Sequence, residues 1–301
     1  MLSLWRNSSL HPETIGLLYG FLGVLSFSLT LPATRLAVTG LDPTFVGLGR
    51  GVVAGTLSVF ILWLTRQSLP TIQQWRSLAI VSLGVVLGFP LLSAWAMQRL
   101  PAAHGAVVLG LLPLVTALAG VLRSGDRPTK LFWIASAIGS ATVVSFAVSQ
   151  GANQLQFENL VLLGAVIAAA LGYAEGGKLA QQLGGWQVIC WALVLSVPFE
   201  AIPTLLTAKH LPVASPWAWL GFAYLCLVSQ LIGFFAWYHG LAIGGVARVS
   251  QMQLFQPFLT ILFSAVLLGE AITPLTLGAA GLVISSVAIG RKAKIHRQET
   301  P

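Results

Sequence analysis

The chain has 301 residues, of which 8% are charged, against roughly 25% in an ordinary soluble domain. Its 16 basic and 8 acidic side chains are too few to coat a soluble body. The net charge of +8 does not point to nucleic acid either, because the basic residues punctuate apolar runs instead of forming a stripe. With 56% hydrophobic residues, the composition fits a polytopic membrane protein: ten spans of about 20 residues, each crossing about 30 Å of hydrocarbon, would use roughly two thirds of the chain.

Charge, Pro and Gly delimit apolar runs at 15–33, 44–64, 77–97, 103–122, 129–149, 159–178, 186–207, 216–238, 246–267 and 273–290. Within hydrocarbon only a helix satisfies its own backbone inside one segment, so each run is read as a helix. The first run is long enough to span and is read as retained, not as a cleaved signal. Cys190 and Cys226 give neither metal spacing nor a disulfide framework, and no cofactor or metal is expected.

Lys and Arg near helix ends set the expected orientation. With the N-terminus inside, Arg6, Arg66, Arg76, Arg123, Arg127, Lys130, Lys178, Arg248, Arg291, Lys292, Lys294 and Arg297 fall on the cytoplasmic side. Arg35, Arg99 and Lys209 fall outside, and Arg50 is left within the second span. Both termini are therefore expected in the cytoplasm, with the basic tail 291–301 near anionic lipid heads.

The sequence repeats. Pro113 to Asp126 matches Pro257 to Glu270, Arg35-Leu36-Ala37 matches Lys178-Leu179-Ala180, and Trp95 matches Trp237, all at offsets of 142 to 144. One copy is about five helices long, an odd number, so the second inserts upside down relative to the first. The expected fold is all-α: ten transmembrane helices as two inverted five-helix repeats, as in alternating-access transporters with a midplane site.

The same residues resemble the drug/metabolite transporter superfamily, and within it the proteins with two EamA repeats. Trp95-Ala96-Met97 ends a third helix, a small-residue-rich fourth helix follows, and Pro257 with Leu268-Gly269-Glu270 keeps the second-copy pattern. The first copy departs from it, with Ser124-Gly125-Asp126 where Leu-Gly-Glu is usual. Asp42-Pro43 followed by Arg50 fits the first-repeat pattern. The resemblance divides the chain into a cytoplasmic segment 1–14, repeats at 15–149 and 150–290, and the tail 291–301. It implies a transporter of small metabolites, and export of amino acids or related compounds follows from the resemblance alone.

Ionisable groups at membrane depth are costly and default to functional candidates. Arg50, about six residues into the second span, suits a substrate carboxylate, with snorkelling to the surface as the alternative. Glu175 is the candidate proton-coupling carboxylate, or else an interfacial partner of Lys178 on the same helix face; Glu200 is similar but less clearly placed. Gln253 and Gln256, with Gln230 in span eight, offer neutral amides for a polar ligand, or packing between helices. Tyr173 and Trp191 are the aromatic candidates for a binding wall. Pro90, Pro113, Pro198 and Pro257 each remove a backbone donor near mid-span and are hinge or kink candidates. The stripes Gly47, Gly51, Gly55 and Gly164, Ala168, Gly172, Gly176, with Gly84 and Gly88, mark close helix contacts.

The expected protein is thus a secondary transporter in the plasma or inner membrane, acting on a small molecule within the bilayer, with homodimerisation left open. A multidrug or organic-cation exporter is the alternative and would need an acid in its cavity. A membrane-integral transferase is a third reading, but the sequence lacks the clustered acids or metal ligands it would need.

Overall fold

The computed structural model describes residues 11–124, 127–149, 157–209 and 213–269, with a few further positions between 274 and 296. The tenth span expected at 273–290, most of the tail and the boundary at 150–156 lie largely outside the described residues. Among those described, the chain is helical apart from one two-residue antiparallel pairing, Arg127–Pro128 (β1) with Ile295–His296 (β2).

Several spans are interrupted, and a proline stands at most of the interruptions, the stretch at 225–232 excepted. Helix α1 (Pro12–Ser28) breaks at Leu29 and resumes as α2 (Thr30–Val38). Pro32 has no N–H to give the Ser28 carbonyl four residues earlier, and Thr260 Oγ1 donates to that carbonyl instead, at 2.8 Å. Helix α3 (Pro43–Leu64) starts cleanly: Asp42 accepts from the Thr44 and Phe45 amides, and Pro43 fills the first turn, where its missing donor costs nothing.

Helix α4 (Ile72–Val81) opens on a Thr71–Gln74 capping box and widens into a π-helical stretch, Ser82–Gly88, before α5 (Phe89–Met97). In that wider turn a carbonyl pairs with the amide five residues on, and for Val85 that position is Pro90. Gln230 Nε2 supplies the missing donor at 3.2 Å. Arg35 donates to the Met97 and Gln98 carbonyls, at 2.6 and 2.8 Å, and so satisfies acceptors left open where α5 ends.

Helices α6 (Ala102–Leu109) and α7 (Leu112–Ser124) are separated at Gly110–Leu111. The run expected as one span at 103–122 is therefore two pieces, with Pro113 in the first turn of the second. Helix α8 (Lys130–Ser149) is continuous. The second half contains α9 (Phe157–Leu183) and α10 (Gly185–Ala208), the latter with Pro198 and Pro203 inside it. It continues through α11 (Pro216–Tyr224), a second π-helical stretch at Leu225–Ile232 and α12 (Gly233–Gly244). A short α13 (Val246–Val249), a 3-10 stretch at Ser250–Phe255 and α14 (Gln256–Leu268) follow, with Pro257 in the first turn of α14. Of the four candidate hinges, three stand where a helix restarts and only Pro198 lies inside one.

Seven stretches among the described residues are long and apolar enough to cross a membrane: Pro12–Val38, Pro43–Leu64, Ile72–Met97, Leu160–Leu183, Gly185–Ala208, Pro216–Gly244 and Val246–Leu268. Small residues let them approach. The expected stripes of spans three and six meet each other: a Cβ on Gly84 would sit 3.0 Å from the Gly172 Cα and closer still to the Ala168 carbonyl oxygen. Gly16 and Gly20 of α1 cross Gly240 and Gly244 of α12 in the same way.

Among the described residues, two ion pairs join the halves crosswise. Glu13, in the first turn of α1, pairs with Arg248 in α13; Glu158, in the first turn of α9, pairs with Arg99 just beyond α5 at 2.6 Å. Each pair links the start of one half's first helix to the segment that follows the third span of the other half. Carboxylates at helix N-termini also complement the helix dipole. The Arg99 guanidinium hydrogen-bonds the Glu158 carboxyl and holds it below the ordinary carboxylate value.

Candidate functional site

The α1–α2 break, the two π-helical stretches and the restart at α14 converge on one cavity. Its lining is Phe27 and Thr30 from either side of the α1–α2 break, Arg50 from α3, Val85 and Phe89 around the first π-helical stretch, and Tyr173 from α9. Ser229 and Gln230 from the second π-helical stretch, Phe234 from α12 and Gln256 from α14 complete it. Space remains for about one water molecule. An amino acid has several times that volume, so a ligand of that size enters only when the helices move apart.

Arg50 is 2% exposed, and its Nε has no hydrogen-bond partner. An arginine that snorkelled to the surface would leave its head in water; this one is buried beside the cavity. Burying a cation without a full set of acceptors costs free energy unless an anion joins it. Around it stand neutral groups. Gln230 is held by the bond from its Nε2 to Val85 O, which leaves its Oε1 buried and unpartnered. Gln256 Oε1 is likewise buried and unpartnered. Thr30 and Ser229 share a hydroxyl–hydroxyl hydrogen bond of 2.8 Å.

One wall is aromatic. Tyr173 and Phe27 stack at 6.1 Å, Phe27 and Phe234 meet at 4.9 Å, and Tyr173 lies edge-on to Trp237 at 5.2 Å, all within the range of favourable aromatic contacts. Trp237 is fully buried behind this wall. Trp95, in contrast, is 44% exposed and donates to Thr44 Oγ1 at 3.2 Å.

The structure therefore brings Arg50, Tyr173, Gln230 and Gln256 to one cavity. It leaves the other candidates elsewhere. Trp191 packs edge-on to Trp75 at 5.7 Å and lines a side opening with Val59, Leu62, Trp63, Gln67 and Val194. Gln253 is buried with neither amide atom partnered, but it stands in the 3-10 stretch outside the cavity lining. Glu175 is buried on α9 and is not part of that lining. Pro90 and Pro257 act next to the cavity, since each follows directly on a lining residue, Phe89 or Gln256; Pro113 and Pro198 are not in contact with it. Phe27, Val85, Phe89, Ser229 and Phe234 are lining residues that sequence reasoning passed over. Among the described residues there is no cluster of His, Cys, Asp or Glu suited to a metal.

Comparison with known proteins agrees with this architecture. The EamA-like transporter family model matches twice, over residues 14–147 and 156–290, and the chain belongs to that family, within the drug/metabolite transporter superfamily. It is 45% identical over 289 residues to the uncharacterized transporter YdeK of Bacillus subtilis, covering 94% of this chain and 99% of that protein. More distant similarity, 23% over 281 residues and 92% and 93% of the two chains, reaches a probable terminal-alkyne amino-acid exporter of Streptantibioticus cattleyicolor. The uncharacterized inner membrane transporter YedA of Escherichia coli K12 is also 23% identical, over 85% of this chain and 83% of its own. A solved crystal structure, 18% identical, superposes with a TM-score of 0.75 over 92% of this chain and 98% of the other, which supports the fold. The protein is thus a multi-pass membrane transporter.

Proposed function

We propose that the protein exports amino acids or closely related carboxylates by alternating access, with Arg50 holding the carboxylate. The observation that carries this reading is a buried arginine with an unpartnered Nε, facing an enclosed cavity together with two unpartnered amide oxygens. A guanidinium fork matches a carboxylate. The amide oxygens of Gln230 and Gln256 suit the ammonium of a zwitterion, and the aromatic wall suits its side chain. No acid lines the cavity among the described residues, which argues against an organic-cation exporter. The relative named as a probable amino-acid exporter supports the substrate class.

In this reading ten helices form two inverted repeats that rock about the cavity, with both termini cytoplasmic. The loop contacts support that layout: Glu13 with Arg248 and β1 with β2 each join segments expected inside, and Arg99 with Glu158 joins segments expected outside. A small cavity with ion pairs closed at both ends corresponds to an occluded intermediate.

The test is flux of tritiated glycine, alanine, leucine and phenylalanine in proteoliposomes, wild type against Arg50→Gln. Saturable flux that collapses in the variant is the expected result. Flux of cationic dyes with none for amino acids would overturn the substrate class.

A further inference from the structure

We propose that the side opening between α3 and α10 is a binding groove for an anionic phospholipid, with an acyl chain in the opening and the phosphate held by Arg66 and Arg76. The proposal stands apart from the Arg50 reading, because the opening shares no lining residue with the central cavity. The opening has a volume of about 210 Å³, walls of Val59, Leu62, Trp63, Trp191 and Val194, and one polar lining residue, Gln67.

Polarity is graded along it. Helices α3 and α10 run antiparallel, since Gly51 packs on Glu200 and Gly55 on Val197 and Leu193. The groove therefore runs from Val59 and Val194 at its deep end to Trp191, Trp63 and Gln67 where α3 stops. Two exposed arginines flank that polar end. Arg66 directly precedes Gln67, and Arg76 directly follows Trp75, whose ring stands edge-on to Trp191 at 5.7 Å. Three tryptophans gather there, and Trp63 is 75% exposed; indole rings collect at the level of the lipid headgroups.

The backbone at Arg66 gives an independent sign. The Arg66 amide donates to the Trp63 carbonyl at 3.1 Å and the Gln67 amide to the Leu62 carbonyl at 3.0 Å. This is a Schellman turn, whose left-handed position is ordinarily filled by glycine because a Cβ crowds the neighbouring carbonyl. Here it is filled by arginine at φ 50°, the non-glycine residue with positive φ among those described. The helix end gains nothing from an arginine in that place; a phosphate does, because a guanidinium fork matches its oxygens.

Charge selects the occupant. The sequence from Val59 to Met97 holds no acidic residue, nor does α10 before Glu200. Neither arginine forms an ion pair among the described residues. An apolar groove that opens beside two uncompensated cations fits an amphiphile with a negative head. A second copy of the chain fits less well, since a two-fold contact centred on this groove would bring its own arginines together.

The experiment is native mass spectrometry of the full chain in detergent, with phosphatidylglycerol and phosphatidylcholine of the same acyl chains in equal amounts. The expected result is one phosphatidylglycerol per chain, preferred by about tenfold, since each arginine near a headgroup favours the anion. Arg66→Gly should remove most of that preference while raising the thermal midpoint in lipid-free detergent, because glycine relieves the turn. Val59→Trp, at a position 49% exposed, fills the groove and should remove the preference with both arginines intact; Val59→Phe replaces it should the first variant fail to fold. Equal retention of the two lipids would overturn the proposal, as would a preference that survives Arg66→Gly combined with Arg76→Gln. A preference that survives filling the groove would reduce the site to surface charge and overturn the groove. Displacement of the lipid by glycerol 3-phosphate would make it a site for a free phosphate, and a dimer that Val59→Trp dissociates would give the groove to a second copy; either overturns the lipid assignment.

Discussion

The middle of the molecule and its two ends treat polar groups in opposite ways. At mid-depth Arg50, Gln230 and Gln256 are buried with atoms left unpartnered. At the ends, Glu13–Arg248 and Arg99–Glu158 are formed ion pairs, each with one exposed partner: the Glu13 side chain is 63% exposed and that of Arg99 77%. The middle holds polar atoms whose hydrogen bonds are left open, as the proposed substrate would need. The ends hold interactions that form and break at little cost, since solvent and salt screen exposed pairs. A machine that must bind tightly at its centre and open at its rims needs that division.

The contrast can be broken at its centre first. Arg50→Gln should weaken carboxylate substrates by about 3 kcal/mol, on the order of 100-fold in apparent affinity, while leaving a folded protein with one buried charge fewer. An affinity within a few fold of wild type would remove Arg50 from the site. Next comes the frame that carries the centre. Gly84→Leu drives a side chain into the Ala168 carbonyl and Gly172 and should cost about 1–3 kcal/mol, read as a lower thermal midpoint in detergent.

Thr260→Val leaves the Ser28 carbonyl without its donor. The expected loss is smaller, about 1 kcal/mol, and should appear as increased hydrogen exchange around the α1–α2 break. The weakest effect is expected at the ends. Because Arg99 depresses the Glu158 carboxyl, the stabilising contribution is complete above the ordinary glutamate value of about 4.3. It is lost as pH falls below that value and through the lowered one. Arg99→Gln should abolish this acid-side slope and change stability at neutral pH hardly at all; an unchanged slope would show the pair to be idle.

Much of this was legible in the sequence because membrane physics leaves few options. Helix positions followed from apolar run lengths, and that Gly84 and Gly172 lie on contact faces followed from their small-residue spacing, though not that the two faces meet. Arg50 stood out because a charge in the second span is costly wherever it points. The rest depended on contacts between helices far apart in the chain. Nothing near Glu200 in sequence reveals that its carboxylate rests on Gly51, and nothing near Gln230 reveals the Val85 carbonyl that Pro90 leaves open. Trp191 and Glu175 looked like better candidates than Ser229 or Phe234 because residue type is visible in one dimension and direction is not. The breaks at Leu29 and at Gly110–Leu111 were missed for a related reason: hydropathy stays high across them, and it carries no information on backbone hydrogen bonding.

The bond from Gln230 to Val85 has a further consequence. By engaging the amide nitrogen it fixes which end of the side chain faces the cavity, so the oxygen cannot trade places with the NH2. An oriented acceptor, a guanidinium and an aromatic wall are three non-equivalent points on different helices. A tetrahedral carbon bearing an ammonium, a carboxylate and a side chain can satisfy all three in only one mirror form. The pocket therefore has a handedness of its own, and uptake of one enantiomer over the other would measure how firmly a single proline has set it.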